Sequence, residues 1–352
     1  MAKIIALYNH KGGVSKTTTA FNLGWALANL GLRVGIADLD PQCNLTALVL
    51  GLNDKEDLNN FFLQKGNEDI YEILNPILVG DNTQINPVKL CKTKNERLYL
   101  IAGNVKMSDV DMQLTLGLVS NSYQTFARQF VGAISSIIRE TANVNKLDIV
   151  LLDMGPSSTG MNRTLLMGSD YFIIPTSPDF FCYQAVQSLS ELLPKWKEET
   201  DTFRDTRVRN RLPETPPKML GIISQKYNKY SGKMAKSYEE WMQKIQRYSR
   251  DGLAKSLENH DMVIPVELFK EHIKDNEPYN LINVSDFNSL IAMSQKHSVP
   301  IFNLGELQIN RSGNVRTTMI KSRDEFSRLF NEFAIAICGL TDVNLPKNNP
   351  KK

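Results

Sequence analysis

The chain has 352 residues, of which 42% are apolar and 22% charged, with a formal net charge of +3. That length accommodates one large α/β domain or two smaller ones, with enough apolar residues for a sizeable core. So small a net charge argues against a protein that is basic all over, and any nucleic-acid surface must be local.

Short apolar runs rich in β-branched residues recur along the chain, most of them followed by a polar loop and a helical pattern. They are residues 3–9 (KIIALYN), 33–38 (RVGIAD), 98–103 (LYLIAG), 148–154 (DIVLLDM), 171–176 (YFIIPT) and 219–224 (MLGIIS), with 299–304 (VPIFNL) as a last candidate. Continuous apolar strands alternating with helices predict an α/β fold, a mostly parallel sheet flanked by helices on both faces. The first helix is expected over Lys16–Leu30, with Gly31 where a C-terminal cap belongs. Two stretches break the rhythm. Residues 53–97 are polar and Asn-rich, and 226–297 exceed an ordinary connection and carry a charged helical pattern over 233–258. We therefore expect a single domain over 1–340 with these two insertions, followed by a polar tail at 341–352.

The four cysteines, Cys43, Cys91, Cys182 and Cys338, form no C-x-x-C pair, so they predict free thiols rather than a metal framework. No apolar run approaches the ~20 residues of a membrane span. The apolar residues 3–8 are too short for a signal peptide core. A soluble, cytoplasmic protein is expected.

Strand, glycine-bearing loop and helix in immediate succession form a phosphate cradle, with backbone N–H groups and a helix N-terminus aimed at one point. In HKGGVSKTTT, Gly12 and Gly13 permit close backbone approach, and Val14 and Ser15 complete the loop. Lys16 would reach the β- and γ-phosphates, the Thr17 hydroxyl would ligate Mg²⁺, and Thr18 would hold the α-phosphate. The strict motif has glycine where this chain has His10 and Ser15. Serine tolerates positive φ poorly, so the loop must relax there or carry strain. The second strand ends in Asp38 and Asp40, and a parallel sheet places its ligand crevice at the strands' carboxyl ends. One of these carboxylates would hold magnesium waters and the other would orient an attacking water. Asp153 ends its strand at the position of a Walker B carboxylate, and the loop GPSSTG that follows could sense the γ-phosphate.

With these pieces in order, the chain resembles the ParA/MinD group of deviant-Walker ATPases, and ParA-type partition proteins in particular. KGGVSKTT is similar to the group's K-G-G-x-G-K-T-T, and DLDPQCNLT to its D-x-D-P-Q-x-x-x-T. The stretch LLDMGPSSTGMNRTLLMGSDYFIIPTSPDFFCYQAVQSL is similar to its switch II region, the helix after it and the next strand. GIISQKYN and MVIPVELF resemble segments around the adenine, which suggests Asn228 and Pro265 as base contacts. SQKHSVPIFNL resembles the end of the sheet. Ser15, the turn MGPS and the two insertions depart from the family pattern.

The resemblance implies ATP and Mg²⁺ as ligands, with Thr17, Asp40 and Asp153 at the metal. It implies that Lys11 is the signature lysine that crosses an ATP-sandwich homodimer to the partner's nucleotide. Lys11, Lys16 and Asp40 would then carry slow hydrolysis, stimulated by a ParB-like or other adaptor protein. The ATP dimer would bind non-specific DNA over the nucleoid and position a cargo such as a plasmid or chromosome. Arg316, Lys321 and Arg323, within RSGNVRTTMIKSRDEFSRL, are candidate DNA contacts, and the charged pattern at 233–258 is a second basic stretch. With the first strand beginning at residue 3, no helix-turn-helix extension is expected, nor, from the polar tail, the amphipathic helix of a membrane-cycling relative. The alternative is a nucleotide-gated interaction scaffold with little hydrolysis, which Ser15 favours.

Overall fold

The computed structural model describes residues 1–64, 66–80, 84–119, 129–227, 229–230, 233–234 and 236–346. Its strands are β1 (Lys3–Leu7), β2 (Val34–Leu39), β3 (Cys91–Lys92), β4 (Leu98–Ile101), β5 (Ile149–Met154), β6 (Tyr171–Thr176), β7 (Lys218–Tyr227), β8 (Lys229–Tyr230), β9 (Lys233–Met234) and β10 (Asn280–Ser285). Eight of them form one sheet in the order β10-β7-β6-β1-β5-β2-β4-β3. All neighbours in it are parallel except the two-residue β3, which lies antiparallel to β4. A separate two-stranded ladder joins β8 and β9.

The central strands are buried almost throughout, as runs apolar at consecutive positions must be when helices cover both faces of a sheet. Their side chains join one continuous core. Helix α1 (Lys16–Asn29) follows β1 and packs on β2 and β5, and the long helix Gly313–Leu340 packs against α1. Gly24 permits the approach to the sheet: a Cβ there would lie 2.7 Å from Ile36 Cγ2 and 3.2 Å from Leu98 Cδ1. Gly31, at φ 93°, ends α1 in the left-handed conformation expected of a C-terminal glycine.

One predicted strand is corrected. Residues 299–304 do not extend the sheet; Ile301–Asn303 form a 3₁₀ turn after Pro300. Their apolar side chains Val299, Ile301 and Leu304 are buried, and the Ile301 N–H reaches the Asn22 side chain instead of a ladder. The edge strand is β10, in the second atypical stretch. Its sequence NLINVS breaks its apolar residues with Asn283 and ends in Ser285, and so lacked the continuous apolar signature.

The first atypical stretch forms the helices Lys55–Leu63 and Ile70–Leu78, and then β3. Ile70, Leu74, Ile77 and Leu78 are buried, and their helix packs on the helix Ala133–Val144. In the second, helix Lys236–Tyr248 runs through a π turn at Ser249–Ala254 into a last helical turn at Lys255–Glu258. Among the described residues, no helix is long and apolar enough to cross a membrane.

Candidate functional site

A cleft of about 560 Å³ opens at the carboxyl ends of β1, β2 and β5, lined in part by residues 13–18, Asp40, Gln42, Met154, Pro156 and Lys226. The β1–α1 loop forms its floor. Gly13 has φ 75° with open space around its missing side chain, so backbone conformation demands the glycine there. Gly12 differs: a Cβ would make ordinary contact with Pro156, so the fold itself does not require a glycine at 12. Ser15 stands at φ 58°, ψ 33° and begins α1 without capping it through its side chain. Of the two outcomes left open for the loop, this is the strained one. The Thr19 N–H and hydroxyl both donate to the Ser15 carbonyl, at 2.9 and 2.8 Å.

Lys16 is 7% exposed, and its ammonium donates to the Asn9 carbonyl at 2.8 Å and the Lys11 carbonyl at 3.3 Å. Burial lowers its pKa, and the charges of Asp153 and Asp40 oppose that shift. The same burial, with the Lys16 charge second, keeps His10 below its ordinary pKa. Thr17 and Thr18 both face the cleft.

Asp38 and Asp153 are register partners on β2 and β5, 0% and 1% exposed. Asp38 Oδ2 accepts the Thr46 N–H at 2.7 Å; its Oδ1 and both oxygens of Asp153 have no partner at full hydrogen-bond geometry, although the Thr17 side chain is near enough to Asp153 to oppose the rise in its pKa. Buried carboxylate oxygens without partners are costly, and the cost shows in their titration. Burial raises Asp38 to about 6. Burial, with Asp38 beside it, drives Asp153 well above its ordinary value. Asp40 sits one step further out and accepts the Gln42 N–H at 3.0 Å. Three orphaned oxygens close to a lysine and a phosphate-shaped loop suit a cation held jointly by protein and ligand oxygens. Among the described residues no cluster of three or more His, Cys, Asp or Glu side chains could hold a metal alone, and Mg²⁺ characteristically takes one or two carboxylates plus phosphates. Sequence reasoning placed Asp38 in the crevice without naming it at the metal; the structure buries it completely, in register with Asp153.

The loop after β5 is tied down at several points. Asn162 Nδ2 donates to the Gly155 and Ser157 carbonyls, both at 2.8 Å, and the Tyr8 hydroxyl donates to the Ser157 carbonyl at 2.9 Å. Gly155 runs past Asp40, where a Cβ would make ordinary contact at 3.4 Å from Oδ1.

Lys11 points away from Lys16. Its ammonium meets both oxygens of Asp179, at 2.5 and 2.6 Å, and lies 3.4 Å from the Ser177 hydroxyl. Asp179 is also the N-cap of the helix Phe180–Thr200, accepting the Cys182 N–H at 2.9 Å. Burial pushes the Asp179 pKa up, but the Lys11, Cys182 and Ser177 bonds outweigh it and hold the group below its ordinary value. Asp179, Gln225 and Lys226 were not read from the sequence as site residues.

Of the remaining candidates, Pro265, Arg316, Lys321 and Arg323 do not line the cleft. Asn228 falls outside the described residues. Pro265 is exposed, caps the helix Val266–His272 and does not line the cleft. Its segment runs beside the start of β7, where Val263 bridges Met219, while β10 takes the edge beyond it. Arg316, Lys321 and Arg323 share the helix Gly313–Leu340. Arg316 pairs with Glu306, Arg323 pairs with Asp324 and caps the Leu304 carbonyl, and Lys321 is exposed.

A parallel sheet with a loop-to-helix phosphate cradle between β1 and α1, and buried acids ending β2 and β5, defines a P-loop nucleoside-triphosphatase fold. Residues 2–204, more than half of the chain, match the family model described as AAA domain. An uncharacterized protein of Methanocaldococcus jannaschii is 31% identical over 243 residues, covering 68% of this chain and 79% of its own. The chromosome-partitioning ATPase Soj of Thermus thermophilus is 28% identical over 224 residues, 64% of this chain and 69% of that protein. Some other relatives are matched over less than two thirds of their length. The structure of pNOB8 ParA bound to nonspecific DNA shares the fold, with TM-score 0.56 and 20% identity over 97% of this chain and 99% of that one. The chain belongs to the ParA-type P-loop ATPases.

Proposed function

We propose that this protein is an ATP-driven dimerising switch that binds DNA without sequence preference in its ATP state and positions a cargo over the nucleoid. The observation that carries the nucleotide half is Asp153, buried with both oxygens unpartnered in the crevice it shares with Lys16. ATP is the substrate. The amides of residues 12–18 and the Lys16 ammonium bind its phosphates, once Lys16 leaves the Asn9 and Lys11 carbonyls. Thr17, Asp153 and Asp40, with Asp38 behind them, would hold magnesium, which would supply charge neutralisation on the phosphate oxygens. Asp40, the least buried of the three acids, orients the attacking water. Lys11, at the rim, is free to serve a second subunit when it releases Asp179. The relatives' printed roles in chromosome partitioning and nonspecific DNA binding support the cargo and DNA halves. A ParB-like adaptor would set the pace of hydrolysis.

The test is direct. Lys16→Ala abolishes ATP binding, Lys11→Ala binds ATP without dimerising, and Asp40→Asn dimerises but loses about 10²-fold or more in phosphate release. A gel shift on random-sequence DNA with ATP, ADP or neither, across salt, tests the rest. ATP-dependent binding that falls steeply with salt is expected, weaker in Lys321→Glu. Binding unaffected by nucleotide sinks the switch.

A further inference from the structure

We propose that Gln225 and Lys226 are positioning residues, a clamp from β7 that holds the phosphate loop in the shape a glycine at residue 15 would adopt unaided. The proposal rests on the nucleotide-binding reading. Ser15 is left-handed, a conformation that L side chains with a Cβ resist. Such a residue persists only where its surroundings over-determine it.

The surroundings here come from the end of one distant strand. Gln225 is 2% exposed, and its amide Nε2 donates to the carbonyl of Val14, the residue before Ser15. Its Oε1 lies 3.2 Å from the Thr19 hydroxyl and shares that hydroxyl's single proton with the nearer Ser15 carbonyl, at 2.8 Å. Lys226 Nζ donates to the Gly13 carbonyl at 2.6 Å. The clamp thus grips carbonyls 13 and 14 directly and carbonyl 15 through Thr19. Lys226 is itself left-handed, at φ 63°, and that backbone brings its side chain over the loop at the cleft. Were Ser15 to relax toward a right-handed conformation, the peptide planes on either side would turn and carbonyl 14 would leave Gln225. The loop N–H groups that receive phosphate would turn with them.

The experiment is a double-mutant cycle. Gln225→Met keeps the side-chain volume and removes the amide; Lys226→Met removes the ammonium from an exposed position. Each is made in the natural chain and in the Ser15→Gly variant. The first readout is the dissociation constant for ATP carrying a fluorescent ribose label. The second is hydrogen exchange at the amides of residues 13–19, which needs no ligand. With Ser15 present, Gln225→Met should weaken binding about tenfold and speed exchange. In the Ser15→Gly background, binding should change less than threefold and exchange hardly at all. Lys226→Met should show the same pattern more weakly. Equal losses in the two backgrounds would overturn the clamp, because a merely structural contact has no reason to depend on residue 15. If the natural protein binds no ATP while the exchange coupling holds, the nucleotide reading fails and the clamp stands.

Discussion

The Lys11 ammonium and the Asp179 carboxylate form a two-pronged ion pair within one subunit, although 168 residues separate them in sequence. The pair is partly exposed, at 24% and 40% of the two side chains, which limits its worth to about 0.2–1 kcal/mol. That is weak enough to exchange for a phosphate and strong enough to bias the isolated subunit.

Asp179→Asn therefore promotes ATP-dependent dimerisation. Asparagine caps a helix about as well as aspartate, so the helix Phe180–Thr200 keeps its start. Removing the competing charge should tighten the dimer about twofold to fivefold, read by sedimentation with ATP. A dimer of unchanged or lower affinity would mean that Lys11 does not leave Asp179 on assembly.

Asp38 makes stability depend on pH in a predictable direction. Its folded-state pKa, about 6, lies above its ordinary value of 3.8. Between these values the unfolded chain has lost the proton and the folded chain keeps it, so stability falls as pH rises through that window. The span corresponds to at most about 3 kcal/mol. Asp38→Asn keeps an oxygen for the Thr46 N–H and removes the charge. Without magnesium, its melting temperature should match the natural protein near pH 4 and exceed it by several degrees at pH 7. A gap that does not widen over this range would contradict the burial argument.

Gly24→Ala tests the seat of α1 on the sheet. Alanine improves the helix by about 1 kcal/mol. The new methyl, at 2.7 Å from Ile36 Cγ2, must displace a β2 side chain, and such overpacking costs about 1–3 kcal/mol. We expect a net loss in chemical denaturation; a more stable variant would show that Ile36 and Leu98 yield easily.

What could be read in advance followed the range of the interaction. Strands β1, β2, β4, β5, β6 and β7 announced themselves as local apolar runs, and the phosphate loop as a local cluster of glycine, lysine and threonine. Asp153 was legible because it ends such a run. VPIFNL misled because its apolar residues serve the helix packing around Asn22, and a proline heads it. NLINVS was missed because an edge strand needs less apolar surface. Asp179 and Gln225 were invisible for another reason. Each acts on a loop whose residues lie 168 and 211 positions away, and only the folded sheet brings them there.

The wiring of β1 has a consequence for synthesis. This strand and its loop leave the ribosome well before β5, β6 and β7, yet β1 pairs with β5 and β6, and its loop is gripped from β7. A nascent chain cut short before residue 225 carries the whole phosphate-binding motif but lacks the Gln225 and Lys226 contacts to carbonyls 14 and 13. Nucleotide affinity should therefore arrive late and abruptly in translation, long after the motif that names it has emerged.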